Sequence, residues 1–449
     1  MSFEITQELL ETVTSFVEVS NDAALIAYFE EMHHADIAEV LNELSFEEAI
    51  YIIKLLDSQK TSEVLMDLDD DVREKILKNL TAKEIAEEVI ELDTDDAADI
   101  LGELSEERQE AVMSEIKDQE HVKEIEELLT YKDDTAGSLM AKELVKVNEN
   151  WTVLKCVREM RAQAEEVTRV HSIYVIDNDG KLKGRLSLKD LLIASTKTAI
   201  SEIYIPNVDF VFNNDHLDDV SFKMRKYDLE AIPVVDEHHV LVGRITIDDM
   251  VDVIKEEADK AYQLAAGIVE DVEANDSILE LTKARLPWLI LGLFGGLGSV
   301  FIMEGYEGAM KSYKELFFFT PLIAAMAGNV GVQSSAIIVQ GLANDNVKGS
   351  LWRRLLKEVG LSLINGSVLG ILLIAVSPFM GLAMNLALTV SISMLCVIIV
   401  ASLIGTFVPI VLDKRGIDPA IATGPFITTS NDIFGIFLFF MIAKIILHF

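Results

Sequence analysis

The chain has 449 residues, half of them hydrophobic, so a single compact core is excluded and several domains are predicted. Its formal net charge of −37 comes from the first 285 residues, where 67 acidic residues outnumber 29 basic ones. Such a segment repels nucleic acid, which excludes that class of partner, and attracts divalent cations. The two cysteines, Cys156 and Cys396, form no metal-ligand spacing and indicate no disulfide framework.

Residues 29–117 contain a repeat with a period of 12 residues. Each unit ends in a leucine, which is followed at once by Ser, Asp or Thr. These residues cap helix N-termini, because a side-chain oxygen accepts the free N–H groups of the first turn. The leucines are Leu44, Leu56, Leu68, Leu80, Leu92 and Leu104. The pattern predicts an acidic, all-α superhelical N domain of short stacked helices over residues 1–130, with an irregular helical bundle as the alternative.

The segment 131–249 is internally duplicated, since SIYVIDNDGKLKGRLSLKDLL (172–192) aligns with AIPVVDEHHVLVGRITIDDMV (231–251). Each copy is predicted to contain a strand, a helix, two strands and a helix, which is an α/β pattern. The shared Gly-x-x-Ser/Thr-x-x-Asp resembles the cystathionine-β-synthase (CBS) domain family, with tandem copies at about 138–200 and 201–249. The resemblance implies that the two CBS domains bind an adenine nucleotide such as ATP. The alternative is a pair of CBS domains that only dimerises. The candidate nucleotide-binding residues are Ser187, Asp190, Thr246 and Asp249.

Three uncharged stretches, 286–303, 316–344 and 359–412, lie in the last part of the chain. The third would extend roughly 80 Å as one helix, whereas the hydrocarbon core of a bilayer is about 30 Å thick. It is therefore predicted to form two spans that turn near Ser377, and residues 417–447 add a fifth span. From residue 286 to its end the chain is thus predicted to form an all-α transmembrane domain of five helices.

Basic residues flank the predicted spans on one side of the membrane. They precede the first span, separate the second from the third, and separate the fourth from the fifth. They are Lys283, Arg285, Lys348, Arg353, Arg354, Lys357, Lys414 and Arg415. The positive-inside rule then predicts a multi-pass membrane protein with a cytoplasmic N-terminus and the C-terminus outside. The membrane is expected to be a bacterial-type inner membrane.

Two of the predicted spans contain polar residues, which are unfavourable in an otherwise apolar membrane helix. Asp432 lies in the fifth span, where a charge costs at least about 2.5–3.5 kcal/mol and is usually functional. It is the leading candidate for a pore residue, and a structural contact near the membrane surface is the alternative. In the second span, AMAGNVGVQSS (325–335) brings small and amide side chains together. Asn329 is the candidate ion contact there, with a small-residue packing seam as the alternative.

Residues 250–285 are predicted to form an acidic connecting helix and a linker. At its start, four carboxylates recur at intervals that bring them to one helix face: Asp249, Asp252, Glu256 and Asp259. In the N domain, Asp95 and Asp99 lie one helical turn apart. Such groups repel one another unless cations lie between them, so a bound divalent cation is predicted to let these surfaces close. For any single acid the alternative is a solvated side chain.

Nearly the whole chain resembles the MgtE family of magnesium channels and transporters. The domain order matches, as do YKDDTAGSLM (131–140), the GN-x-G-x-Q core (328–333) and DPAIATGPFITTSND (418–432). The resemblance implies a homodimer with one pore on its two-fold axis and a Mg²⁺ site formed by Asp432 of both subunits. Further pore contacts would come from Thr428 and Asp418. Mg²⁺ bound among the cytosolic parts would close the pore, through Glu63, Asp95, Asp99, Asp228, Asp249, Asp252 and Glu257.

No set of catalytic residues has supporting context, so an enzyme is not predicted. The predicted function is Mg²⁺ influx through the lipid bilayer, closed by Mg²⁺ at the acidic cytosolic domains. One alternative is a transporter of Co²⁺, Zn²⁺ or Mn²⁺, although a ligand set made only of oxygens favours a hard ion. The other is a nucleotide sensor of the CBS type anchored in the membrane.

Overall fold

The computed structural model describes residues 4–164, 167, 169–270, 272, 276–343, 347, 349–422 and 424–448; for 309–311 and 422 it describes the backbone only. The chain divides into two compact units, residues 1–254 and residues 255–449. The first unit contains a helical domain and a pair of α/β domains, and the second contains the long apolar helices.

Ten short helices open the first unit. They are α1 (Gln7–Glu18), α2 (Asp22–Phe29), α3 (His34–Glu43), α4 (Phe46–Ile53), α5 (Ser58–Asp67), α6 (Asp70–Asn79), α7 (Ala82–Val89), α8 (Thr94–Gly102), α9 (Glu106–Glu115) and α10 (Gln119–Leu128). Helices two positions apart pack together, as in α3 with α5, α7 with α9 and α8 with α10. This arrangement confirms the predicted all-α N domain of short stacked helices.

The period of 12 corresponds to one helix and its cap. Ser45 and Thr81 precede α4 and α7, and each forms a capping box with the glutamate three residues later. The repeat leucines pack inward, so that Leu68 and Leu80 are 4% and 5% exposed. Helices of this length are not stable alone, so burial of these leucines between neighbours stabilises the stack.

Two α/β domains follow the helical domain. The first contains β1 (Val145–Asn148), α11 (Val153–Gln163), β2 (Ile173–Ile176), β3 (Leu182–Leu186), α12 (Leu188–Ile193) and β4 (Ile205–Pro206). The second contains β5 (Val211–Phe212), α13 (Leu217–Tyr227), β6 (Ala231–Val235), β7 (Leu241–Thr246) and the start of α14 (Ile247–Ala266). In each sheet a parallel strand pair is followed by an antiparallel one. An antiparallel bridge between Lys181 and Val240 joins the copies at equivalent positions, which confirms the predicted duplication.

The second unit contains five helices long and apolar enough to cross a membrane, counted over the described residues. The helices of this unit are α15 (Ile278–Gly305), α16 (Glu307–Ser312), α17 (Lys314–Phe318), α18 (Thr320–Ala343), α19 (Leu351–Val376), α20 (Met384–Asp413) and α21 (Gly424–Leu447). The long uncharged stretch forms two helices, α19 and α20, with a turn over 377–383. The prediction of five spans is confirmed, although α15 begins upstream of the predicted start at 286.

Helix α20 packs against α18, α19 and α21. Small polar side chains join it to α19. The hydroxyls of Ser362 and Ser402 lie 2.6 Å apart, and the Ser391 hydroxyl donates to the carbonyl oxygen of Gly370 over 3.1 Å. Side chains this small let helix backbones approach closely, and their hydrogen bonds satisfy polar groups that lipid cannot. The α19–α20 pair is therefore held in a fixed antiparallel register.

Candidate functional site

Asp432 lies on α21 beside a glycine of α18. Its side chain is half-buried, and a methyl group placed on Gly328 would lie 3.7 Å from its Oδ1 atom. Thr428, one turn earlier on α21, lies beside the same glycine, and its hydroxyl donates to the carbonyl oxygen of Gly424 over 2.9 Å. Thr428 and Asp432 therefore share one helix face, which lies against Gly328 of α18.

The polar residues of α18 divide between two faces of the helix. Asn329, Gln333 and Gln340 lie four and seven residues apart, and all three side chains are exposed in the single chain. By contrast, the two serines that follow Gln333 are buried. Amides exposed along a membrane span are costly unless they line water or meet a partner. Asn329 thus lies on an exposed polar face of α18, which is compatible with the predicted ion contact. The alternative, a packing seam of small residues, applies to the opposite face of the helix.

The opposite face of α18 packs against α20 and α21, and Gly331 lies at the centre of this packing seam. An added Cβ there would lie 1.7 Å from the side-chain amide of Asn431 on α21. A Cβ at Gly405 of α20 would lie 2.3 Å from the Gly331 carbonyl oxygen. Glu358 of α19 accepts a hydrogen bond from Ser334 over 3.3 Å. Sequence analysis missed Asn431 and Glu358, because their roles depend on which helices lie beside α18.

Replacing Gly331 with Ala is expected to lower the melting temperature of the purified protein by several degrees and to reduce ion uptake. The added methyl group cannot fit between α18 and α21, and overpacking of this kind costs about 1–3 kcal/mol. The control is Gly296→Ala on α15, where an added Cβ meets no atom within 4 Å. Equal melting temperatures for the two variants would contradict the close approach.

The start of α21 contacts the end of α14. A Cβ at Gly424 would lie 2.1 Å from the carbonyl oxygen of Ala265, and one at Gly267 would lie 2.4 Å from the Pro425 ring. Both glycines have positive φ, at +44° and +84°, which favours glycine over any other residue. Asp418, at the start of the short 3₁₀ helix Pro419–Ala422, accepts the Ala420 N–H over 2.8 Å. The helix that carries Asp432 is thus in direct contact with α14.

An acidic cluster lies in the first unit, where α8 approaches the segment before β1. One carboxylate oxygen from each of Asp93, Asp95 and Glu143 lies within 4.8 Å of the other two. Asp95 is 8% exposed, so its charge is largely removed from water. Mg²⁺ binds oxygen ligands at about 2.0–2.1 Å, and ligands of one ion therefore lie roughly 3–4 Å apart. A small movement of these side chains would suit a divalent cation.

Further carboxylates raise the negative potential of the acidic cluster. Burial, followed by repulsion from neighbouring acids that include Asp249, raises the pKa of Asp95 well above its ordinary value and that of Asp96 to about 7. Burial also raises the pKa of Asp249, although hydrogen bonds from Thr246 act in the opposite direction. The cluster therefore takes up protons unless another cation compensates its charge.

Arg244 and Thr94 connect α8 to the second α/β domain and the segment before β1. The buried Arg244 side chain, on β7, donates to Asp93 over 3.1 Å and to the carbonyl oxygen of Glu143. The hydroxyl and N–H of Thr94 both donate to the Glu143 carboxylate, over 2.9 and 3.1 Å. Sequence analysis selected none of Glu143, Asp93 and Arg244, because their contacts join residues that are separated by 49 and 151 positions in the chain.

The remaining predicted acids lie on the surface. Asp99 is exposed on α8 near enough to Asp96 to contribute to its raised pKa. The others are exposed on different helices or at a helix end and lie outside the three-residue group: Glu63, Asp228, Asp252 and Glu257. Asp95 and Asp249 therefore lie close enough to interact electrostatically, as do Asp96 and Asp99, and the exposed Asp252 follows Asp249 by about one turn of α14.

A cleft of about 520 Å³ lies between the two α/β domains. Its lining includes Arg169, His171, Glu230, Asp248 and Asp252. The two Gly-x-x-Ser/Thr-x-x-Asp motifs, Ser187 with Asp190 and Thr246 with Asp249, differ in the hydrogen bonds that their side chains form. Thr246 donates to Asp249 through its N–H and its hydroxyl, whereas the Ser187 side chain makes no capping bond at the start of α12, which carries Asp190. The cleft has the size and mixed charge of a site for a polar ligand.

Raising the pH from 5.5 to 8 in Mg²⁺-free buffer is expected to lower the melting temperature of the full-length protein. Asp95, Asp96 and Asp249 have raised pKa values when folded, so the folded state binds protons that the unfolded state has released. Stability is then lost as the pH rises from near 4 through about 7, the pKa of Asp96, by at most a few kcal/mol. Scanning calorimetry with Asp96→Asn as the comparison tests this, and a steeper pH dependence in the variant would contradict it.

The fold and its sites are those of a membrane transporter. An acidic helical domain and a pair of α/β domains precede the candidate membrane spans, one of which contains the Asp432 carboxylate. Family profiles match three parts of the chain: residues 320–442 match a divalent cation transporter profile (MgtE), residues 32–134 match the MgtE intracellular N domain, and residues 136–197 and 200–256 match the CBS domain. The chain belongs to the MgtE family, which is a family of transporters and not of enzymes.

Relatives at moderate identity cover most or all of the chain. The magnesium transporter MgtE of Thermus thermophilus is 33% identical over 448 residues, which cover 98% of this chain and 99% of that one. The magnesium transporter MgtE of Enterococcus faecalis is 38% identical over 74% of this chain and 73% of its own length. A solved structure of the cytosolic domain of the Mg²⁺ channel MgtE in complex with ATP matches 55% of this chain and all of that one, with 34% identity and a TM-score of 0.51.

Proposed function

We propose that this protein carries Mg²⁺ across a bacterial inner membrane, into the cytosol, along a path lined by α18 and α21. The single observation that carries the proposal is the half-buried Asp432 carboxylate beside Gly328 in a membrane-spanning helix. The similarity to magnesium transporters over nearly the whole chain supports the choice of ion. A membrane potential of 100 mV, negative inside, would contribute about 2.3 kcal/mol per elementary charge to inward movement.

The proposed path takes hydrated Mg²⁺. Mg²⁺ releases its water reluctantly and prefers oxygen ligands, whereas softer ions favour imidazole and thiolate. The residues assigned to the path offer carboxylate, amide and carbonyl oxygens. Asp432 would attract the ion, Thr428 would offer its carbonyl oxygen, Asn329 would contact the hydration shell, and Asp418 would lie at the cytosolic mouth.

We propose that the working unit is a homodimer with the pore on its two-fold axis. In a single chain the amides of Asn329 and Gln333 are exposed along a span. A second copy related by two-fold symmetry would remove that polar face from lipid and bring two Asp432 carboxylates to one site. Two carboxylates match the charge of one dication.

Closure by cytosolic Mg²⁺ is proposed to act through the acidic cluster and α14. Bound Mg²⁺ would relieve the repulsion among Asp95, Asp96 and Asp249, and so favour the arrangement in which these groups lie close together. Helix α14 begins beside that cluster with Asp249 and ends against α21 at Gly424. Helix α14 thus carries both Asp249 and the residues that contact the start of α21. The surface acids Glu63, Asp228, Asp252 and Glu257 would contribute further weak contacts to Mg²⁺.

ATP is proposed as a second regulator that binds the tandem CBS domains. The support is the mixed-charge cleft between the two domains and the similar cytosolic domain solved with ATP. Of the two motifs, Thr246 and Asp249 lie beside the cleft, since Ile247 and Asp248 line it, whereas Ser187 and Asp190 are not among the lining residues. Nucleotide and cation would then act on the same pair of domains.

The function is tested by uptake into liposomes that contain the purified full-length protein. Mg²⁺ entry, followed with an entrapped magnesium indicator, is expected to rise well above protein-free liposomes and to fall when Mg²⁺ is also present on the cytosolic side. Equimolar Co²⁺, Mn²⁺ or Zn²⁺ is expected to compete less well than Mg²⁺ itself. Faster flux of one of these ions would assign the path to that ion, and no flux of any ion would favour a membrane-anchored sensor.

A further inference from the structure

An apolar groove runs between α19 and α20 on the membrane-spanning unit. It has a volume of about 360 Å³ and is lined by Trp352, Leu356 and Val359 from α19 and by Val400, Ile404 and Phe407 from α20. The three residues from α20 lie within two helical turns on one face, as do the three from α19. Trp352 and Leu356 are 74% and 69% exposed, so the groove opens outward and is not part of the packed interior.

The groove lies near one surface of the membrane. The Ser362–Ser402 and Ser391–Gly370 hydrogen bonds fix the antiparallel register of the two helices. In that register the start of α19, at Trp352, lies level with the end of α20. The groove therefore reaches the membrane–water boundary at this end, where tryptophan is the aromatic residue with the strongest interfacial preference.

Positive charge is concentrated where the groove meets that boundary. Arg353 follows Trp352 and is exposed, and Lys414 is exposed two turns beyond Phe407, on the same face of α20. The N-terminus of α19 adds the positive end of a helix of 26 residues, and its N-cap residue Ser350 makes no side-chain bond to it. The exposed Asp413 lies on the opposite face of α20 by helical phase. The groove thus combines an apolar wall with a cationic end.

We propose that this groove binds one anionic phospholipid, with an acyl chain along the α19–α20 wall and the phosphate between Arg353 and Lys414. The volume lies within the range of about 300–1,000 Å³ that is typical of ligand sites. Lysine and arginine at the membrane surface attract lipids that carry a net negative charge, whereas a zwitterionic headgroup offers no net attraction. Anionic lipid would hold α19 and α20 together at the same membrane surface as the start of α21. The proposal requires a membrane-spanning chain and does not depend on which ion is carried.

Native mass spectrometry of the full-length protein, with dioleoyl phosphatidylglycerol and dioleoyl phosphatidylcholine added in equal amounts, tests the site. The wild type is expected to retain phosphatidylglycerol in roughly tenfold preference, because two cations attract its net negative headgroup and not the zwitterionic headgroup of phosphatidylcholine. The double variant Arg353→Gln/Lys414→Gln should lose that preference. The matched control Lys444→Gln, at the other end of α21, should keep it. Equal retention of both lipids by the wild type, or an unchanged preference in the double variant, would overturn the proposal.

A second variant and a second measurement separate a lipid site from an interface between two chains. Ile404→Trp fills the groove and should reduce retention of both lipids without changing the mass of the oligomer. Loss of the dimer with unchanged lipid retention would assign the groove to a second copy and overturn the proposal. Fluorescence gives a test without any change in the groove: with Trp151 and Trp288 replaced by Phe, brominated phosphatidylglycerol should quench Trp352 more strongly than brominated phosphatidylcholine. Equal quenching would also contradict an anionic lipid site.

Discussion

Asp432→Asn is expected to reduce Mg²⁺ uptake by on the order of 100-fold or more, because the variant removes the charge that the proposed path offers to a dication. At a separation of several ångströms and an effective dielectric constant near 20, the attraction between a carboxylate and Mg²⁺ amounts to several kcal/mol, and each 1.36 kcal/mol corresponds to tenfold in rate. The amide keeps the size of the side chain beside Gly328, so a loss of uptake cannot be attributed to a cavity. In a homodimer the change would act twice at one site.

The matched control for this change is Asp413→Asn, which removes an equal charge from the exposed end of α20. Both variants can be compared by growth of a magnesium-transport-deficient bacterial host at low Mg²⁺ and by flux into liposomes. Expression level and melting temperature should be similar for both. Full growth rescue by Asp432→Asn would remove this carboxylate from the ion path and make it a structural contact.

Neutralising the acidic cluster is expected to leave the transporter active when cytosolic Mg²⁺ is high. The double variant Asp95→Asn/Asp249→Asn removes two carboxylates that the fold brings together on α8 and α14, so Mg²⁺ can no longer bind between these helices and stabilise the closed arrangement. Glu143→Gln should give a weaker effect in the same direction, since its amide oxygen can still accept one of the two hydrogen bonds that Thr94 donates. The concentration of cytosolic-side Mg²⁺ needed for half-inhibition of flux should rise by roughly tenfold or more in the double variant.

Thermal stability distinguishes a cation site from general damage to the fold. In Mg²⁺-free buffer at pH 8 the double variant should melt at a higher temperature than the wild type, because repulsion has been removed. The further rise caused by millimolar Mg²⁺ should shrink, because the site has been removed. Glu110→Gln, an exposed acid on α9, should change neither value. A wild-type shift retained in the double variant would contradict the assignment of Mg²⁺ to this cluster.

Sequence periodicity and hydropathy determined the elements because both are local properties. The leucine of each 12-residue unit and the Ser, Asp or Thr after it gave the helix boundaries of the N domain, since capping depends on residues within one turn. Uncharged stretches gave five spans, since the membrane sets the length of a helix. Asp432 was recognised for the same reason, because a carboxylate in an apolar span is conspicuous whatever lies beside it.

The tertiary structure decided which of the candidate residues meet. Helical period shows which residues of α18 share a face, but only the neighbouring helices reveal that Gly331 meets Asn431 while Asn329 and Gln333 are exposed. Glu143 belongs to the acidic cluster and Arg244 contacts it, through hydrogen bonds between residues that are 49 and 151 positions apart in the chain. No local sequence pattern encodes such a pairing. Sequence determined the helices, strands and charges of this protein, and the packing of distant segments determined where those charges are close enough to require a cation.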